Sequence, residues 1–317
     1  MKTMTLLLCL SSPLLAQKLP LPDGTGRVVQ LFDLQQLLGP EQAPPAALPV
    51  PGLVPPPAPP HASEQIADML RHFVDPPLGP GDGLEVLGKR WLTVLGSPVQ
   101  VASAERLLAL ATARRDAPIV VQIHLLQLPD KAFGEHVKAR LVQVVRGPQV
   151  GYEAVLEAGA AKEFTADLAK VDHDRLEAPQ LSVLPLQGAS LSMQNQTAYV
   201  KDFVCTRVGD TVVADPVVDV VWDGNRTEVC ATFLPDGMLG VWCDVTFQEV
   251  EKPIATFETK LGLGVGKPAT IQMPRVTGTR LQQTVVLGAE SLVVLATQKV
   301  DGTWVLATVR ATPGKGR

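Results

Sequence analysis

The stretch from Ala178 to Phe203, "APQLSVLPLQGASLSMQNQTAYVKDF", decides how the second half of this chain is read. Apolar and polar residues alternate as they do along a β-strand, yet Ser, Gln and Asn crowd the places where turns are expected. No catalytic group stands among them. Polar ladders that do no chemistry suit surfaces that meet water or another subunit without burying unpaired charge, and edge strands of this kind can pair with neighbouring copies.

Further along, "TEVCATFLPDGMLGVWCDVTF", Thr227 to Phe247, reads as two strands around Asp236-Gly237, the strongest short hairpin signal. With a two-residue loop, Pro235 faces Met238 and Cys230 falls opposite Cys243 at a non-hydrogen-bonded site. A disulfide between them is then geometrically plausible. The alternative is two reduced, buried cysteines, because a loop enlarged by Pro235 slips the register. Cys205 is the third cysteine of the mature chain. No CxxC or HxxxH spacing occurs, so no metal site is expected.

Upstream, "LEVLGKRWLTVLG" alternates around Gly88-Lys89 as a hairpin. "ASEQIADMLRHFV" sets Ile66, Met69, Leu70 and Phe73 at helical spacing with Ser63 as N-cap, and "SPVQVASAERLLALATARR" sets Val101, Leu107, Leu108 and Leu110 along a second helix. In "APIVVQIHLLQLP", Ile119, Val121, Ile123 and Leu125 face one way, and Val120, Gln122, His124, Leu126 and Leu128 the other. Together with "RVVQLFDLQQLLG" these predict βαββαβ, a small sheet with helices on one side. "DKAFGEHVKARLVQVV" and "AAKEFTADLAKVDH" predict a mixed helical connection.

The N-terminus, "MKTMTLLLCLSSPLLAQK", has a positive n-region at Lys2, an apolar run from Leu6 to Leu10 that includes Cys9, and a small-residue end at Ala16. It predicts export with cleavage after Ala16. Pro40 to Pro60 is proline-rich with Glu41 its only charge, which predicts an exposed, extended linker. No later stretch is long and apolar enough for a spanning helix, so membrane association is expected only through β-strands or partners.

The chain has 317 residues, 46% of them hydrophobic, which suffices for a packed core. Its net charge of -4 offers no basic face for nucleic acid. His61, His72, His124, His136 and His173 are scattered without ligand spacing. "VDHDR" around His173 sets two carboxylates beside an imidazole but supplies no nucleophile, so an exported enzyme built there is the weakest reading. "GLGVGKPA", Gly262 to Ala269, fails the phosphate-loop spacing, and "GASLS" around Ser190 fails the nucleophile elbow. No catalytic residue and no cofactor are expected. Asn195 and Asn225 begin glycosylation sequons at predicted turns.

A resemblance orders these pieces. "LEVLGKRWLTVLGSPVQVASAERLLALATARRDAPIVVQIHLLQLP" resembles the small ring-building domain of bacterial secretins, running into the strand that opens their C-terminal domain. "VVQLFDLQQLL" resembles the first strand and helix of secretin N-terminal domains. "APQLSVLPLQGASLSMQNQTAYV" resembles the secretin stretch in which strands flank a polar turn, and "RTEVCATFLPDGMLGVWCDVTFQEVE" that family's Asp-Gly hairpin. "IQMPRVTGTRLQQTVVLGAESLVVLATQK" resembles its closing strands, with Gly288-Ala289-Glu290 at the turn.

The resemblance implies an α+β fold, a ring-building α/β domain followed by a mainly antiparallel β domain. The expected division is a signal peptide at 1–16, a strand and helix segment at 17–39, a proline-rich linker at 40–60, a ring-building-like domain at 61–128, a mixed helical connection at 129–177 and a β-rich domain at 178–317. It also implies a homo-oligomer working with other secretion-system or envelope proteins, in the periplasm or outer membrane of a Gram-negative-type bacterium. Leu181 to Val204 and Thr227 to Val250 are the expected structural centre. The segment from Tyr199 to Arg226 reads as short for membrane-spanning hairpins, which keeps open a soluble, secretin-derived scaffold that forms no pore.

Overall fold

A computed structural model describes residues 19–20, 26–38, 62–146, 149–177, 179–209, 211–260, 268–299 and 301–314. The expected signal peptide, the proline-rich linker and most of the Gly262–Ala269 loop lie outside these residues. The fold is α+β, with antiparallel sheets and a β-rich C-terminal region.

The chain opens with β1 (Leu19–Pro20) and β2 (Val28–Asp33), followed by α1 (Ala62–Phe73), β3 (Gly83–Leu87), β4 (Trp91–Gly96) and α2 (Pro98–Ala113). The predicted hairpin forms, with Val86 opposite Leu92 across Gly88. α2 starts on a capping box: Ser97 Oγ accepts from the Gln100 backbone N–H, and the Gln100 side chain accepts from the Ser97 N–H. The small sheet runs β1-β2-β4-β3, and apolar residues of both helices pack into one core with Phe32, Leu84, Leu92 and Val94.

β5 (Ile119–Leu128) does not join this sheet, contrary to the βαββαβ expectation. It enters a seven-stranded sheet with β6 (Val142–Arg146), β7 (Gln149–Leu156), β8 (Asp174–Glu177), β9 (Gln180–Val183) and two later strands. The reason is in its composition. One face of β5, Ile119 to Leu125, is apolar throughout, and the other becomes apolar at Leu126 and Leu128, so its C-terminal end needs cover on both sides. The expected helical connection does contain α3 (Asp130–His136) and α4 (Ala158–Leu168), but it also holds the β6–β7 hairpin.

β10 (Gln187–Val208) and β11 (Thr211–Phe233) then form one hairpin, about 70 Å long at roughly 3.3 Å per residue. The Ser-, Gln- and Asn-rich run is therefore strand and not turn, because each of its residues has a partner on β11, from Ser190 opposite Glu228 to Thr197 opposite Val221. Asn195 and Asn225 likewise sit inside strands, and Asn225 is buried. β12 (Leu239–Val250) follows, then a short hairpin of β13 (Ala255–Lys260) and β14 (Pro268–Met273). β15 (Val276–Leu287) completes a four-stranded sheet, β10-β11-β12-β15, and β16 (Leu292–Gln298) and β17 (Trp304–Pro313) complete the seven-stranded one. The turn between β15 and β16 falls at the predicted Gly288-Ala289-Glu290.

Three cores result. Between the two larger sheets, Val229, Ala231 and Phe233 of β11, Val241 and Val245 of β12, and Val285 of β15 meet the Ile119, Val121 and Ile123 face of β5. Behind the seven-stranded sheet, Phe133, Phe164, Tyr152 and Trp304 cover the Leu126 and Leu128 face, with Phe133 stacked on Trp304 at 3.9 Å. On the outer face of the four-stranded sheet, Cys230 joins the core of α1 and α2.

Candidate assembly surface

The long hairpin is sorted by face. On β11 the register carries Trp222, Val220, Val218, Pro216 and Ala214 along one side, opposite Gln196, Ala198, Val200, Phe203 and Cys205 of β10. Apart from Gln196 this side is apolar, and Val218 is 57% exposed. The other side carries Asp223, Val221, Asp219, Val217 and Asp215 opposite Asn195, Thr197, Tyr199, Asp202 and Val204. A bulge at Lys201 shifts the alternation on β10 between Val200 and Asp202 and keeps the two faces distinct. The strands run past both ends of the 199–226 segment, so the hairpin is not short. Ala214 to Trp222 alone reaches about 25–30 Å at roughly 3.3 Å per residue.

Below the apolar band lies a charged belt. Glu228 and Asp244 face each other across strands, a like-charge pair that would destabilise the sheet if left alone. Arg226 bonds Glu228, and Arg280 Nε donates to both Asp244 oxygens at 2.9 and 3.0 Å. The Asp244 carboxylate in turn raises the Arg280 pKa above its ordinary value.

Below the belt, the α/β unit sits on the same face. Gly240 lets α1 approach so closely that a Cβ there would lie 2.5 Å from the Phe73 ring. His72 stacks on Trp242 at 5.9 Å, the Gly188 N–H donates to Gln65 Oε1 at 3.3 Å, and Arg114 lies over Phe233.

The predicted cysteine pair does not form. The turn is a five-residue link, Leu234 to Met238, that places Phe233 opposite Leu239, so Cys230 pairs with Trp242 and Cys243 with Val229. One residue of slip puts the thiols on opposite faces, Cys230 toward α1 and α2 and Cys243 between the large sheets. Neither is in a disulfide, and Cys230 donates to Gln187 O at 2.8 Å while burial pushes its pKa up. His173 Nδ1 meets the Val171 carbonyl at 2.7 Å within its own turn.

Among the described residues, both edges of the four-stranded sheet are open in the single chain. β10 presents its outer edge apart from Gly188, whose N–H donates to Gln65 Oε1 of α1, and Val200, whose N–H donates to Gln272 Oε1 of β14 at 2.9 Å, and β15 presents the other. Sequence reading pointed to this region but missed the facial sorting, because the bulge at Lys201 breaks strict alternation.

No family model and no curated protein matches the chain in sequence. Solved structures do. The likeness is to secretins. The Salmonella SPI-1 type III injectisome secretin InvG matches at 10% identity over 92% of this chain and 88% of its own, with a TM-score of 0.30. The type II secretin GspD of enteropathogenic Escherichia coli matches at 10% over 80% and 83%, TM-score 0.31, and the Vibrio cholerae competence pilus secretin PilQ at 8% over 78% and 74%, TM-score 0.29. At such values residues of this chain have no one-to-one counterparts in those structures, and its surfaces are read from its own registers. Among the described residues no helix is long and apolar enough to cross a membrane, which leaves β-strands as an open route.

Proposed function

We propose that this exported chain is a secretin-like subunit of a type II or III secretion or pilus-related system, and that copies assemble into a ring through the edges of the four-stranded sheet. The carrying observation is the two-faced distal hairpin. An apolar face from Ala214 to Trp222 and a polar, Asp-bearing face behind it match the outward-apolar, inward-polar pattern of a transmembrane barrel, whose strands need ~9–11 residues. In this reading the apolar face meets lipid and the face bearing Asp215, Asp219 and Asp223 lines the lumen. β10 and β15 run in opposite directions, so β15 of one copy meets β10 of the next as an antiparallel pair, and closure removes both edges. The work is structural, assembly and passage rather than turnover, with other envelope components as partners in the periplasm or outer membrane.

The test is extraction of the full chain from membranes in mild detergent, followed by sedimentation and electron microscopy. Large rings in the membrane fraction are expected. A soluble monomer or dimer would reject the pore in favour of a periplasmic scaffold.

A further inference from the structure

Between the apolar band and the α/β unit, the outer face of the four-stranded sheet holds an open hollow of about 150 Å³, lined by Arg226, Glu228, Asp244, Thr246 and Arg280. The strand registers sort these residues into rows. Arg226, Thr246 and Arg280 lie side by side across β11, β12 and β15. Glu228 and Asp244 form the next row, on the side of the helices. The basic row is therefore the one nearer the apolar band.

Between that row and Trp222, the last residue of the band, the sheet carries Gln194, Gly224, Gln248 and Gly278. Two positions in this row lack a side chain, and only one of them is explained by the fold. Gly224 is held at φ +133° against the Met193 carbonyl. Gly278 has no such constraint, and a Cβ there would meet nothing nearer than the Phe247 carbonyl oxygen at 3.8 Å. A glycine inside a strand weakens it, and often marks a place where a ligand comes close to the backbone.

The arginines are held but not used up. Arg280 bonds Asp244 through Nε and Nη2, which leaves Nη1 outside these bonds, and Arg226 bonds Glu228 through Nη2. A guanidinium has five N–H donors, so each keeps some beyond its carboxylate. Their side chains are 55% and 60% exposed. Set two strands apart, about 10 Å at roughly 4.8 Å per strand, they flank the Thr246 hydroxyl. Such fixed, planar donors suit a phosphate. The level of the hollow indicates which phosphate. The glycine row lies about 6–7 Å below Trp222 at roughly 3.3 Å per residue, comparable with the ~5–7 Å of headgroup layer on each side of a bilayer's hydrocarbon core.

Resting on the membrane reading above, we infer that this hollow binds the phosphodiester of a membrane phospholipid, seated over Gly224 and Gly278 and held by Arg226, Arg280 and Thr246, with the acyl chains along the apolar band. Glu228 and Asp244 position the guanidiniums and cancel their charge, so the site takes one singly charged headgroup.

The experiment uses the full chain extracted from membranes in a phosphate-free mild detergent. Lipid phosphorus per chain is measured, and melting is followed with dihexanoyl phosphatidylethanolamine, dihexanoylglycerol or inorganic phosphate. The wild type should retain phospholipid, and only the phosphatidylethanolamine should raise its melting temperature. Gly278→Leu fills the hollow without touching a charge, and should cut retained phosphorus at least tenfold and abolish the melting shift. The joint variant Arg226→Gln, Glu228→Gln, Asp244→Asn and Arg280→Gln removes the charges in pairs, leaves none orphaned, and should do the same. Gly278→Leu rings with undiminished phosphorus overturn the site and leave the barrel standing. Equal protection by inorganic phosphate, or by the phosphate-free lipid, overturns the phospholipid assignment. A wild-type chain absent from membranes overturns the barrel reading and this inference with it.

Discussion

The proximal and distal halves of the β10–β11 hairpin are one continuous pair of strands in two different environments. Proximally, Val229, Ala231 and Phe233 are sealed against the seven-stranded sheet, and Cys230 against the helices behind. Distally, Val217 and Val218 are exposed on opposite faces. The proximal half draws its stability from burial within the chain. The distal half has cross-strand pairs, backbone hydrogen bonds and a short flanking hairpin, and a two-stranded ribbon is marginal in water. One strand pair thus holds a segment stabilised within the chain and another that leaves apolar side chains uncovered.

The largest expected effect comes from setting the two distal faces against each other. If the proposed barrel holds, Val218→Arg puts a charge on its lipid side and should cost ~2–4 kcal/mol per copy near the bilayer midplane, enough to remove rings from the membrane fraction in a flotation assay. Val217→Arg, its neighbour on the lumen side, should float as the wild type does. Equal behaviour of the two would sink the facial assignment.

The proximal half is probed by Gly240→Ala. Its methyl would drive Phe73 out of place, and such overpacking costs about 1–3 kcal/mol. Denaturant unfolding should show the loss, while hydrogen exchange over 214–222 stays unchanged. At the belt between the halves, Arg280→Ala leaves the Asp244 side chain, 7% exposed, without its charged partner, an expected loss of about 1–3 kcal/mol in urea. Adding Asp244→Asn should recover much of it; no recovery would mean that Arg280 acts through packing rather than charge.

The smallest effect is a pH dependence at the helix–sheet contact. Burial against Trp242 lowers the His72 pKa, with Asp68 opposing and Arg71 reinforcing the shift. The fold thus favours the neutral ring. Its contribution is complete above the unfolded value of ~6.5 and declines as pH falls through the lowered folded value. Because the ring is partly open to solvent, the melting temperature between pH 7.5 and 5 should change by only about 1–2 °C more in the wild type than in His72→Gln.

Much of the fold was legible where one residue type forces one geometry. Gly88-Lys89 marked a hairpin, the Gly96-Ser97-Pro98 turn opened a helix, and the long β-branched and Leu-rich run of β5 announced a strand. What stayed hidden depends on counting across strands. Pro235 enlarged a turn by enough to slip one residue and send Cys230 and Cys243 to opposite faces. The bulge at Lys201 moved Phe203 and Cys205 onto the face of Val200, where uninterrupted alternation would put them on the other. The β6–β7 hairpin escaped because its short strands, flanked by helices, carry no alternation long enough to read.

Gly224 marks the seam between the halves of the hairpin. At φ +133° it lies so close to β10 that a Cβ would come within 2.2 Å of the Met193 carbonyl oxygen, a contact only glycine permits. Everything beyond this point is free of the chain's main cores, and faces repeat every second residue. Two residues added to each strand above Gly224 would therefore lengthen the apolar band by about 6–7 Å without turning a side chain to the wrong face. In the proposed barrel, such paired insertions would match the band to bilayers of different thickness.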